Sequence, residues 1–106
     1  ILKKIIELNI NKKRIIVMGD FNCIPDDEPI LIFKSLLDDG KIKSKKGFYG
    51  PQGTFSGFDH LLIMEKRIDY IFTKNIEVLS YRHLDDRREN NLCISDHLPI
   101  LIEIDN

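Results

Sequence analysis

The stretch Arg14-Ile15-Ile16-Val17-Met18-Gly19-Asp20-Phe21-Asn22 decides how the chain is read. Four apolar residues in a row, three of them β-branched, predict a short buried strand. The glycine and the polar residues after it predict a turn. The strand delivers a carboxylate and an amide at its end, where strands of α/β sheets commonly present their chemistry. In an extended segment, residues two apart share a face, so Asp20 and Asn22 are expected side by side. An acid beside an amide suits work on a phosphoryl group. The carboxylate can hold a water, a metal or a proton, and the amide can donate to a phosphate oxygen.

Working outward, residues 1–9 space their apolar side chains as the end of an amphipathic helix, with Asn9 and Asn11 as terminators. After the turn, Pro25-Asp26-Asp27-Glu28-Pro29 is a helix-start signal. That helix is expected to run to about Asp38 and stop at Gly40. Its stripe of Ile30, Phe33, Leu36 and Leu37 is read as core packing. Residues 41–53 read as a basic, glycine-rich loop, most simply a solvated connection. Their functional reading is the edge of a phosphate-binding groove, with Phe48 and Tyr49 free to stack on a base or sugar.

Further strands are expected at Arg67–Thr73, at Ile76 to about Leu84, and at Leu98–Ile104. In the first of these Asp69 stands among apolar residues, which is costly unless a partner satisfies it. The charged run from Asp85 to Asn91 is a solvated turn. Ser95-Asp96-His97 stands just before the last strand. If these strands lie together, Asp69 can accept a hydrogen bond from one ring nitrogen of His97, fix its tautomer and favour the imidazolium. The other nitrogen then faces a phosphate oxygen. His60 and His83 are read as surface histidines, and Cys23 as incidental.

Composition limits the alternatives. The 106 residues allow one domain at most, and 16 basic against 17 acidic residues argue neither for nor against a nucleic-acid partner. Cys23 and Cys93 have no zinc-site spacing and read as reduced thiols, with a disulfide left open. No apolar stretch approaches membrane-spanning length. Cytoplasmic placement is favoured, and an upstream targeting segment stays open because the chain begins at Ile1.

Gly19-Asp20-Phe21-Asn22, Gly53-Thr54-Phe55, Arg67-Ile68-Asp69-Tyr70-Ile71-Phe72 and Ser95-Asp96-His97-Leu98-Pro99 occur in this order. Together they resemble the C-terminal half of the endonuclease/exonuclease/phosphatase (DNase I-like) family, from about Arg14 to Ile104. The resemblance implies an α/β fold, half of a four-layer α/β sandwich, with one mostly antiparallel mixed sheet and helices on its outer face. It implies that residues 1–106 are the C-terminal half of such a domain, with the N-terminal half absent.

The implied activity is metal-dependent hydrolysis of a phosphodiester or phosphomonoester by in-line attack of water. Asp20 would orient or activate the water or protonate the leaving oxygen, and Asn22 would position the phosphate. Asp69 would orient His97, which would hydrogen-bond the phosphate. Asp96 would lie beside Mg²⁺, with Mn²⁺ as the alternative metal. Thr54 and Phe55 match a loop that lines the site and are taken as substrate-binding with Asn22.

The expected partners are a phosphate-ester substrate (nucleic acid, phosphoinositide and sphingolipid are not separated) and the missing N-terminal half of the same domain. A fragment of this kind is expected to be inactive alone. The competing readings are a non-catalytic phosphate- or nucleic-acid-binding module and a truncated vestigial product.

Overall fold

The computed structural model describes residues 2–7, 12–55, 66–84 and 95–105. His60, Cys93, Asn9, Asn11 and the run from Asp85 to Asn91 lie outside the described residues. The fold is α/β, with two small sheets and a few peripheral helices. Its elements are α1 (Leu2–Glu7), β1 (Ile15–Asp20), α2 (Glu28–Leu36), β2 (Asp38–Asp39), α3 (Gly40–Lys43), β3 (Phe48–Tyr49), β4 (Asp69–Lys74), β5 (Val78–His83) and β6 (Ile100–Ile104).

The strands do not form the one sheet expected. One sheet has the order β1-β4-β2 and the other β3-β5-β6. The physical reason lies in the end of α2. Leu37 is already extended, and Asp38 and Asp39 pair with Thr73 and Phe72 on the free edge of β4. With both edges of β4 taken, β5 pairs instead with β6, antiparallel, and with β3, parallel.

Gly40 therefore opens α3 rather than ending α2. It is buried where a Cβ would stand 2.9 Å from the Ile71 carbonyl oxygen, so a glycine is needed for close approach and not for a helix stop. The expected loop at 41–53 likewise contains a helical turn and a short strand.

The core of the first sheet follows the strand alternation. Ile15, Tyr70 and Phe72 point to the face covered by Ile30, Phe33 and Leu37 of the α2 segment. Phe21 enters this cluster edge-on, with ring centroids 5.0 Å from Phe33, 5.6 Å from Tyr70 and 5.4 Å from Phe72.

A buried ion pair ties the sheets together. Arg67, just before β4, donates from both terminal nitrogens to the two carboxylate oxygens of Asp39, each at 2.7 Å. It also reaches the Tyr81 hydroxyl of β5 at 3.4 Å and lies over the Tyr70 ring. The fork geometry makes this a bidentate, charge-assisted contact. Among the described residues, no helix is long and apolar enough to cross a membrane.

Candidate active site

The site forms where β1 and β4 end side by side. Their antiparallel register places Asp20 opposite Asp69. The turn after Asp20 is built by local chemistry. Gly19 has φ +151°, a conformation side-chain-bearing residues rarely adopt. Asn22 has φ +50°, and its backbone N–H donates to Asp20 Oδ1 at 2.8 Å, closing an Asx turn. The backbone is therefore not extended through Asn22, and the expected shared strand face of Asp20 and Asn22 is replaced by this turn.

Phe21 anchors the turn from below, and its N–H donates to the Ile68 carbonyl at 2.9 Å. The Tyr70 hydroxyl donates to the Cys23 carbonyl at 2.8 Å, and the half-buried Cys23 packs against the core. In Gly-Asp-Phe-Asn the phenylalanine thus packs against the core while Asp20 and Asn22 stay exposed.

Asp69, the costly acid of the second strand motif, has its partner. His97 Nδ1 donates to Asp69 Oδ2 at 2.8 Å. The Asp69 side chain is 16 % exposed and that of His97 29 %. The hydrogen bond to Asp69 is the largest cause raising the His97 pKa above its ordinary value, with the charges of Asp69, Asp20 and Asp96 adding to it against partial burial. His97 Nε2 lies 3.8 Å from Asp20 Oδ2 and 4.0 Å from Asp96 Oδ1. The former is too long for a hydrogen bond, and it is a span that one water can bridge by donating to Asp20 and accepting from His97 Nε2–H. Phe55 pairs with His97 in an isolated bridge, its ring edge-on at 5.1 Å.

Thr54 is placed otherwise than expected. It is fully buried, so it presents nothing to a substrate, and its hydroxyl accepts from the N–H groups of Ile68 and Asp69. His83, expected at the surface, is 2 % exposed. Its ring packs against Phe48 and Tyr81, and Nδ1 bonds the Pro51 carbonyl at 2.8 Å. Phe48 is thereby occupied in packing, whereas Tyr49 stays exposed. Lys41 bonds Gln52, and Lys45 pairs with Glu77.

Asp20, Asp69 and His97 offer ligand atoms within 4.8 Å of one another, a group capable of coordinating a divalent metal. The donor chemistry fits a hard cation that keeps much of its water, because such an ion needs only one or two accessible carboxylates from the protein. Asp20, 49 % exposed at its side chain, supplies one. His97 Nδ1 is already engaged by Asp69.

Two small sheets thus bring an Asp–His pair opposite a second carboxylate at a solvent-open strand end. The model of the endonuclease/exonuclease/phosphatase family matches residues 2–97, and the chain belongs to that family. A conserved protein of unknown function from Enterococcus faecalis is 29 % identical with a TM-score of 0.83, over 96 % of this chain and 41 % of its own. A mannosyl-6-phosphatase from Bacteroides thetaiotaomicron is 30 % identical with a TM-score of 0.81, over 99 % of this chain and 43 % of its own. A family member from the same species is 31 % identical with a TM-score of 0.78, over 97 % of this chain and 42 % of its own. This chain thus spans about two-fifths of the length of these structures. No curated protein matches the sequence.

These matches correct two expectations. The likeness is not confined to a C-terminal half beginning near Arg14, because the family model is matched from residue 2 and the structures cover 96–99 % of the chain. The same coverage withdraws a missing N-terminal half as the expected partner.

Proposed function

We propose that this chain carries a metal-dependent phosphoesterase site that hydrolyses a phosphate ester by in-line attack of water. The observation that carries the reading is the 2.8 Å bond from His97 to Asp69, with the other ring nitrogen turned toward Asp20. Asp69 holds the imidazole in one tautomer and favours its charged form. His97 donates from Nε2 to a phosphate oxygen, where charge grows in the transition state. Asp20 orients the attacking water or returns a proton to the leaving oxygen, with one carboxylate oxygen fixed by the Asn22 N–H. Asn22, exposed at the rim, positions the phosphate, and Phe55 lines the site.

Asp20 and Asp96 are the residues that would hold the cation. When bound, Mg²⁺, or Mn²⁺ in its place, polarises the phosphoryl oxygen and steadies the leaving group. The similarity to a mannosyl-6-phosphatase favours a sugar phosphomonoester as the first substrate to try, ahead of nucleic acid, phosphoinositide or sphingolipid. We also read the two small sheets and their helices as belonging to half of a four-layer α/β sandwich.

The test is hydrolysis of p-nitrophenyl phosphate, bis-p-nitrophenyl phosphate and mannose 6-phosphate by the natural gene product carrying this sequence. The expected result is turnover that EDTA abolishes and Mg²⁺ restores. Metal-independent turnover, or none with any phosphate ester, would contradict the reading and favour a binding module.

A further inference from the structure

Thr54 is 0 % exposed, and its N–H, hydroxyl oxygen and carbonyl are all bonded to the chain around the site. The N–H donates to the Lys66 carbonyl at 2.9 Å. The hydroxyl oxygen accepts from the Ile68 N–H at 3.0 Å and from the Asp69 N–H at 3.1 Å. The carbonyl accepts from the Leu98 N–H at 2.7 Å. Leu98 follows His97 directly, and Asp69 is itself one of the residues held. One buried residue therefore grips the backbone on both sides of the Asp69–His97 bond.

The consequence is geometric. A carboxylate–imidazole hydrogen bond weakens over a few tenths of an ångström and a few tens of degrees. Asp69 and His97 come from segments 28 residues apart, joined at this end of the sheets through Thr54 and the adjacent Phe55–His97 bridge. A hydroxyl has two acceptor positions, and both are used here on consecutive N–H groups. Threonine supplies that oxygen from a stiff, β-branched side chain with few rotamers. Serine keeps the oxygen and loses the stiffness. Valine keeps the shape and leaves two N–H groups buried without an acceptor.

We propose that Thr54 is a positioning residue that sets the Asp69–His97 pair and never touches substrate; this rests on the phosphoesterase reading of that pair. The test is the low-field proton resonance of His97 Nδ1–H, followed by NMR in the natural gene product, beside thermal unfolding and steady-state kinetics. The wild type and T54S are expected to show the resonance. T54V is expected to stay folded, to lose or broaden it, and to lower kcat about tenfold or more with KM little changed, as misplacement of a catalytic group does.

A folded T54V that keeps the resonance and kcat overturns the proposal. Should T54V not fold, T54C takes its place, with weak sulfur as the acceptor. Exchange of the His97 proton with water must then speed about tenfold, and unchanged exchange overturns the proposal. D69N separates the two levels. If the resonance is absent from the wild type or survives D69N, the Asp69–His97 pair itself fails, whatever Thr54 does.

Discussion

At the residue scale, His83 shows how far burial changes a side chain's meaning. Neighbouring sequence marks it as an ordinary polar position late in a strand, yet it lies under Phe48 with its Nδ1–H on the Pro51 carbonyl. Its Nε2 is buried with no hydrogen-bond partner among the described residues. Burial, with the cations Arg67 and Lys41 nearby, pushes its pKa down to about 4. The unfolded chain binds this proton near pH 6.5, so between about 6.5 and 4 the unfolded state holds more protons than the folded one. The stability this neutral ring secures is fully present above pH 6.5 and is lost as pH falls to about 4, to the extent of about 3 kcal/mol. H83F should therefore show a shallower loss of unfolding free energy across that window in urea titrations, even if it is less stable at pH 7. Parallel curves for H83F and wild type would show that His83 does not titrate in this way.

At the scale of elements, the Arg67–Asp39 pair joins β2 to the start of β4 and, through Tyr81, touches the second sheet. Both side chains are nearly inaccessible, at 5 % and 2 %. Removing one partner strands the other as an uncompensated buried charge, so D39A and R67A should each cost about 3–5 kcal/mol. The double replacement D39L/R67M should recover most of that loss, as measured by denaturant unfolding of all four proteins. Additive losses would mean that the two charges are not coupled.

This pair also marks where sequence reading stops. Asp38 and Asp39 look like a polar helix end, and no local signal says that the second of them meets an arginine 28 positions on. That same unseen pairing puts β2 on the edge of β4 and divides the strands into two sheets. The stripe Ile30, Phe33, Leu36 and Leu37 is legible from helical spacing, although Leu37 reaches the core as the extended residue just after the helix. The lysines of residues 41–46 read as a candidate phosphate edge, but Gln52 and Glu77 take two of them.

At the scale of the whole molecule, the Asp69–His97 pairing is legible because a costly half-buried acid leaves a trace. Asp69 in an apolar strand required a partner, and Asp96-His97 before the last strand offered one. The fold meets that requirement with a 2.8 Å bond between residues from separate segments, and sets Asp20 across from it at the end of the neighbouring strand. The motif places Thr54 at the site, but its burial is invisible in sequence because it depends on β4 and the segment before β6 closing over it. On the proposed function, Asp69 acts through His97 on a phosphate oxygen.

The most direct measurement is a double-mutant cycle on kcat/KM for Mg²⁺-dependent phosphate-ester hydrolysis by the natural gene product, with wild type, D69N, H97A and D69N/H97A. Removing the donor should cost about 10²–10³-fold, D69N less, and the double variant no more than H97A alone. Losses that multiply, or an H97A protein that is folded and as active as wild type, would contradict it.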